Sequence, residues 1–251
     1  IDGKWYVVGS DKEIINDVFV DMKDNVWLAT HNNGVVRIRL DNNQIEYLST
    51  KDGLSTNHTR VIKQDKWGNI WIGTSGGGLN RMFTPVFEHY NKSNGFKGNM
   101  FYALAKSSDG GVWTSTNNNG FTKIWDDSIK VFDSKNGFRD VKCKALFEDS
   151  CGVLWIGTEG SGVYAYVDNQ FHNIDGDDGL ADNWIREITQ DLNGNIWIAT
   201  VSGVSKITYD TTLSNFNIQI KDFSTNNGLP DDRINCIKVD QDNKVWFGCQ
   251  S

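Results

Sequence analysis

Proline is nearly missing from this sequence of 251 residues, which has two prolines against 25 glycines. Its turns must be made by Gly, Asn and Asp, the residues that tolerate positive φ. It also lacks any run near the roughly 18 apolar residues that a membrane-spanning helix needs, and no signal-peptide pattern opens it. The first residue is Ile1 rather than Met, which fits a removed leader or upstream region, and residues 247–251 read as a cut inside a repeating unit. No cluster of Lys or Arg stands out, and the formal net charge is −7. A nucleic-acid binder ordinarily shows a basic face, so that partner class is set aside. The four cysteines, Cys143, Cys151, Cys236 and Cys249, form no CxxC, which argues against a zinc site. Cys236 and Cys249 are spaced to face each other across a hairpin, and geometry decides whether they bond. There is no Gly-x-Ser-x-Gly elbow and no HExxH, and the histidines His31, His58, His89 and His172 are scattered.

The sequence is rich in tryptophan, with ten, and six of them recur on a period. Trp27, Trp71, Trp113, Trp155, Trp197 and Trp246 each open a short run with Gly, Ala or Ser two residues on, at spacings of 44, 42, 42, 42 and 49 residues. Six residues before the Trp stand Asp21, Asp65, Asp149, Asp191 and Asp240, with Ser107 the exception. Three residues before it stand Gly68, Gly110, Gly152 and Gly194, replaced by Asp24 and Asn243. A Gly–apolar pair follows about eight residues later, and a second marker recurs at Gly53-Leu54, Gly95-Phe96, Gly137-Phe138, Gly179-Leu180 and Gly228-Leu229.

Each unit reads as four short strands. In the second, residues 60–64 alternate as a strand, 65–69 form a hairpin turn, and 70–74, 79–83 and 87–90 supply three further strands. No 3.6-residue period is present. Four strands in about 42 residues match one blade of a β-propeller, whose faces are buried only by stacking on neighbours. The expected fold is all-β: a β-propeller of four-stranded antiparallel blades, five complete blades plus a partial sixth. The blades fall at about 11–51, 52–93, 94–135, 136–177 and 178–227, with a partial blade at 228–251 that residues 1–10 are placed to complete. The seven extra residues of the fifth unit, around 208–222, lengthen its outer hairpin. The recurring Trp residues read as inter-blade core and the recurring Asp residues as hairpin caps; the loop at 65–69 is too short for a calcium-binding EF-hand.

Residues 65–81 resemble the two-component regulator propeller repeat, and 149–158 and 191–200 are similar to it; Asp52-Gly53-Leu54 and Asp178-Gly179-Leu180 fit the same family's marker. The resemblance implies a periplasmic sensor region of a Bacteroidetes hybrid two-component system, anchored to a membrane and signalling to a histidine kinase. It implies an oligosaccharide released from a glycan as ligand. The partners it implies are a neighbouring propeller or immunoglobulin-like domain of the same chain and a homodimer. The matching residues are scaffold residues, so the resemblance assigns no ligand contacts.

Candidate contacts come from departures from the repeat. The connections from each fourth strand to the next first strand are expected to share a face with the second-to-third turns. They carry His58, Arg60, Tyr102, Arg139, Asp140, Asn183, Trp184, Arg186, Asp232 and Arg233, with His31, Asn32, Asn117, Asn118 and Glu159 from the turns. Planar donors and acceptors with an aromatic face suit a glycan, and arginines suit an anionic one. Arg60, Arg139, Arg186 and Arg233 either ring an acidic ligand or pair with nearby Asp; Trp184 is either a stacking platform or part of an interface. The carboxylate pairs Asp177-Asp178 and Asp231-Asp232 read as turn residues rather than an acid/base couple. No catalytic residue, metal site or cofactor is assigned. Two other functions stay open: a propeller lyase or hydrolase using His31 and His58, and a non-catalytic protein-interaction scaffold.

Overall fold

The computed structural model describes residues 13–83, 86–96, 98–117, 120–125, 128–139, 141–210 and 216–249. They fall into two compact units, one ending at Tyr102 and the other starting at Ala103. The first unit holds two four-stranded meanders: Ile15–Val20, Asn25–Thr30, Val35–Arg39, Gln44–Leu48; and Thr59–Gln64, Ile70–Thr74, Leu79–Phe83, Val86–Tyr90. The second holds three more: Phe101–Lys106 (reaching back across the boundary), Val112–Thr116, Phe121–Trp125, Ser128–Phe132; Cys143–Glu148, Leu154–Thr158, Val163–Val167, Gln170–Ile174; and Ile185–Gln190, Ile196–Thr200, Gly203–Asp210, Asn217–Phe223. A two-stranded sheet, Ile234–Val239 with Val245–Cys249, follows. The fold is a β-propeller of antiparallel blades, five complete and a sixth partial.

The repeated Asp explains why each first hairpin closes where it does. Asp65 Oδ1 accepts the turn N–H groups of Trp67 and Asn69, both at 2.9 Å, and Oδ2 accepts the indole N–H of Trp71 at 2.8 Å. Asp21, Asp149, Asp191 and Asp240 hold Trp27, Trp155, Trp197 and Trp246 in the same way. The turn needs a left-handed residue three before the Trp. Gly68 supplies it at φ 90°, and Asp24 and Asn243 reach φ 60° and 63°, as Asn and Asp tolerate.

The strand that follows is buried along its whole length in blades 2, 3 and 4. Within each unit the first strand of a blade lies against the first and second strands of the blade before it, as Thr59–Gln64 does on Ile15–Val20 and Asn25–Thr30. Trp27, Ile62, Ile70 and Ile72 share one such core, and Trp155, Ile185, Ile196 and Ile198 another. Gly157 permits the close approach, since a Cβ there would lie 2.5 Å from Ile185 Cγ2.

One element has no signature at a 3.6-residue period. Each connection between blades contains a single 3₁₀ turn, such as Thr50–Asp52 and Gly176–Asp178, closed by a reciprocal capping box and a left-handed Gly, Gly53 or Gly179. The Gly–apolar marker is therefore the C-cap of this turn. Asp178 serves as a cap and Asp177 lies in the same turn. Cys236 stands opposite Gly248, Cys249 opposite Ile234, and both thiols are free, so the hairpin register excludes the expected facing pair. The fifth blade's outer strands are lengthened, as expected, to Gly203–Asp210 and Asn217–Phe223. Residues 1–10, Asn118 and Asp140 lie outside the described residues.

Candidate functional site

The inter-blade connections and the second-to-third turns do share a face, because backbone hydrogen bonds tie them together. Asn57 O accepts Gly34 N–H at 2.9 Å, Asn99 O accepts those of Gly76 and Gly78 at 3.0 Å, and Asn183 O accepts those of Gly160 and Gly162 at 3.0 Å. Asp232 O accepts Gly203 N–H at 2.7 Å. The side chains at these positions are committed as well: Asn183 Oδ1 accepts Gly176 N–H at 2.9 Å, and Asp232 Oδ1 accepts Thr225 N–H at 2.6 Å. Asn183 and Asp232, expected from the sequence as ligand contacts, each form the repeated clasp of the 3₁₀ turn.

Beyond the clasp, first strands carry a bulge. Pairing slips between Ile15 and Asp17, Thr59 and Val61, Cys143 and Ala145, Ile185 and Glu187, and Ile234 and Cys236. The extra residues are Asn16, Arg60, Lys144, Arg186 and Asn235. A bulge re-aims one side chain out of the ladder, and here every re-aimed side chain is an amide or a cation. Arg60 and Arg186 hold this shared position. Arg139 and Arg233 stand outside it, and Arg233 is an exposed residue facing Asp231 at 3.8 Å, so the four arginines are not equivalent.

In the first unit, Arg60 lies over the Tyr102 ring at 4.9 Å and donates from Nε to Ser75 Oγ at 3.1 Å. His58 is exposed and meets His31 edge-on at 5.6 Å. In the second unit, Trp184 is 48% exposed and its indole lies over Gly160, where a Cβ would come within 3.3 Å of Nε1. Lys144, Glu159, Trp184, Ile185 and Arg186 line a hollow of about 100 Å³. Lys142 and Lys144 both pair with Glu159. Burial alone would raise the Glu159 pKa, but the Lys142 bond and the charges of Lys144, Lys142 and Arg186 outweigh it and lower the pKa. The hollow is thus an ionised carboxylate among cations, beside an exposed indole. It can stack a ring and donate to oxygen-rich groups. Arg139 is exposed at the end of the connection after Phe138. Lys144 had no place in the sequence reading, although its spacing of 42 residues from Arg186 marks the shared bulge position.

Residues 53–76, 137–160 and 228–251 match the family model of the two component regulator propeller. Each match runs from the Gly cap of the 3₁₀ turn through the Trp strand. No protein of curated function matches the chain. Among solved structures, the extracellular domain of a hybrid two component system of B. thetaiotaomicron superposes with TM-score 0.77 at 23% identity, over 95% of this chain and 32% of that one. A second such domain from the same organism gives 0.74 at 19% identity, over 94% and 34%. Virginiamycin B lyase of Staphylococcus aureus gives 0.73 at 16% identity, over 93% and 76%. The chain spans about a third of the length of the two component relatives, and these likenesses establish the fold.

Proposed function

Three segments of this propeller match the two component regulator repeat, and from that premise we propose that the chain is the ligand-sensing module of a hybrid two-component system. Its ligand is a glycan-derived oligosaccharide. One observation carries this reading: the exposed Trp184 indole beside the bulge-mounted cations Lys144 and Arg186, over the 100 Å³ hollow. A pyranose face stacks on the indole, and the cations and Glu159 meet its hydroxyls or acid groups. The blades are tied by backbone bonds, so the signal passes as a rearrangement against a neighbouring propeller, an immunoglobulin-like domain or a second copy. A histidine kinase in the same membrane-anchored protein receives it, and the propeller lies outside the cytoplasm. The extracellular placement of the two B. thetaiotaomicron relatives supports this assignment. The chain itself has no helix, among the described residues, long and apolar enough to cross a membrane.

The test is a thermal-shift screen against a glycan library. A ligand at 100 times its Kd stabilises by about 2.7 kcal/mol, a rise of roughly 5–10 °C for a domain of this size. Trp184→Ala and Arg186→Ala should abolish the rise while leaving the unliganded melting temperature in place. A full screen without a shift defeats the proposal.

A lyase reading has one observation in its favour, the His31–His58 pair on exposed loops of adjacent blades, together with the fold shared with virginiamycin B lyase. It predicts turnover of a cyclic or polymeric substrate that vanishes when both histidines are replaced.

A further inference from the structure

A cleft of about 710 Å³ lies between blades 3 and 4. It is bordered by first-to-second and third-to-fourth turns, not by the connections that form the face described above. Its floor includes Trp113, Phe132 and Glu148, and Trp125 and Tyr166 stand along it.

The same position one repeat later shows what such a cleft accepts. Between blades 4 and 5 the chain fills the space itself. Tyr209 packs on Trp155 at 5.3 Å, and Phe216 lies 5.9 Å from Trp155 and 5.0 Å from His172. The Tyr209 hydroxyl donates to Asp149 Oδ2. In the strand register, where Trp155 pairs with Ala165 and Trp197 with Lys206, Trp155 corresponds to Trp113, His172 to Lys130 and Tyr209 to Asp168. Blade 4 turns at Asp168 and Asn169, without the seven extra residues that deliver Phe216 in blade 5. The two rings that cover Trp155 thus have no counterpart in blade 4.

The acceptor at the floor is also transposed. Ser107 replaces the repeated Asp, and Glu148 reaches over from blade 4 to do its work. Glu148 accepts Ser107 Oγ at 2.8 Å, Ser108 N–H at 2.7 Å and the Trp113 indole N–H. Asp149 likewise accepts three donors of its own blade, Cys151 N–H, Val153 N–H and the Trp155 indole, and then the Tyr209 hydroxyl as a fourth. A carboxylate has about four acceptor sites, so Glu148 has capacity for the hydroxyl that Asp149 already holds.

We propose that this cleft is a binding site for a phenolic ring, which stacks among Trp113, Trp125 and Tyr166 and donates its hydroxyl to Glu148. The volume lies within the roughly 300–1,000 Å³ of small-ligand sites and exceeds one ring, so the ligand carries further atoms. The Lys123–Asp109 pair, closed at 2.6 Å, offers them polar contacts. This inference concerns a different site and a different ligand class from the saccharide face, and it stands or falls separately.

The experiment titrates the intact chain with p-cresol, N-acetyl-L-tyrosinamide, N-acetyl-L-phenylalaninamide and methyl β-D-glucopyranoside, followed by calorimetry and by ligand-observed NMR. Saturable binding of either phenol is expected, with the tyrosine compound favoured over its phenylalanine analogue by about tenfold or more, the contribution of a hydrogen bond to a charged acceptor. Binding of both phenols identifies a free aryl alcohol as sufficient; binding of the tyrosinamide alone identifies a tyrosine of a polypeptide. The deciding variant is Asp168→Tyr, which supplies from within, at the register place of Tyr209, the ring that blade 5 already uses. It should fold, with a modest fall in melting temperature because the position stands at φ 50°, and lose the phenol. Absence of binding, equal affinity for the phenylalanine analogue, preference for the pyranoside, or binding that survives Asp168→Tyr each overturns the proposal.

Discussion

Replacing Asp65 by Ala removes four hydrogen bonds at once: those from the Trp67 and Asn69 amides, from the Asn69 side chain at 2.8 Å, and from the Trp71 indole. They do not count equally. Trp71 is 3% exposed, so its N–H is left without a partner in the interior, a cost of about 1–3 kcal/mol. The turn lies at the surface, where water can replace the lost acceptor, and the cost there resembles a missing helix cap, about 1 kcal/mol. The sum for Asp65→Ala is roughly 2–4 kcal/mol of destabilisation. Asp65→Asn keeps one oxygen for the amides but points an NH₂ at the indole, so it should cost about 1–3 kcal/mol, the indole's share alone. Asp240 makes the equivalent bonds to Asp242, Lys244 and Trp246. There Trp246 is 62% exposed, so Asp240→Ala should cost only the turn's share, about 1 kcal/mol. Urea unfolding followed by far-ultraviolet circular dichroism ranks all three variants. Equal losses at Asp65 and Asp240, or Asp65→Asn behaving as the unmutated chain, would refute the claim that satisfying a buried indole is what the repeated Asp contributes.

Other outcomes follow from the same geometry. Burial alone would raise the pKa values of Asp21 and Asp191, but bonds from Asn25 and Trp27, or from Trp197 and Asn195, outweigh it and hold them below the ordinary 3.8. A depressed carboxylate contributes stability that is complete above its unfolded pKa and is lost as pH falls through the folded one. The chain should therefore lose stability below about pH 4, and Asp21→Asn with Asp191→Asn should flatten that acid limb in melts taken from pH 7 to pH 3. Gly157→Ala should cost about 1–3 kcal/mol by overpacking against Ile185, and the added change Ile185→Ala should recover less than its own loss, giving a non-additive cycle in chemical denaturation. Burial raises the Cys143 thiol pKa strongly, whereas Cys151 and Cys236 are exposed. A thiol reagent should label the latter two in the native state and reach Cys143 only after unfolding, which peptide mapping would read out.

The scaffold was legible because its causes are local and repeat. A Trp with an Asp six residues earlier and a left-handed residue three earlier is a complete hairpin specification, and it recurs often enough to fix blade count and register. The 3₁₀ turn escaped because a single turn has no period; its evidence was the capping pair at Ser49 and Asp52, or Asp175 and Asp178, ahead of a Gly. The clasp role of Asn183 and Asp232 escaped for a related reason. A polar residue on an exposed loop looks the same in sequence whether its oxygen faces solvent or a backbone N–H seven residues earlier. The bulge was invisible since it is a property of pairing between strands, and with it the equivalence of Asn16, Arg60, Lys144, Arg186 and Asn235. Glu148 was within reach: Gln64 and Gln190 stand at its place, and the one acid there accompanies the one missing repeat Asp, at Ser107.

Those two departures belong together, and they show how such a repeat acquires a site. The scaffold demands a carboxylate oxygen at each motif indole, but it does not demand that the oxygen come from the same blade. Once Glu148 supplies it across the interface, Ser107 is free to be small, and the space between blades 3 and 4 is left to the outer strands. Blade 5 closes the equivalent space with Tyr209 and Phe216, at the expense of a longer hairpin; blade 4 has Asp168 at the place of Tyr209, in a tight turn, and its cleft stays open. Likewise the bulge takes one residue of five first strands out of the ladder, so its identity is free of pairing constraints and carries Asn, Lys or Arg instead of the β-branched residues around it. In both places the residues available for recognition are those whose structural duty another residue has assumed. That is why they vary along a chain whose other positions repeat.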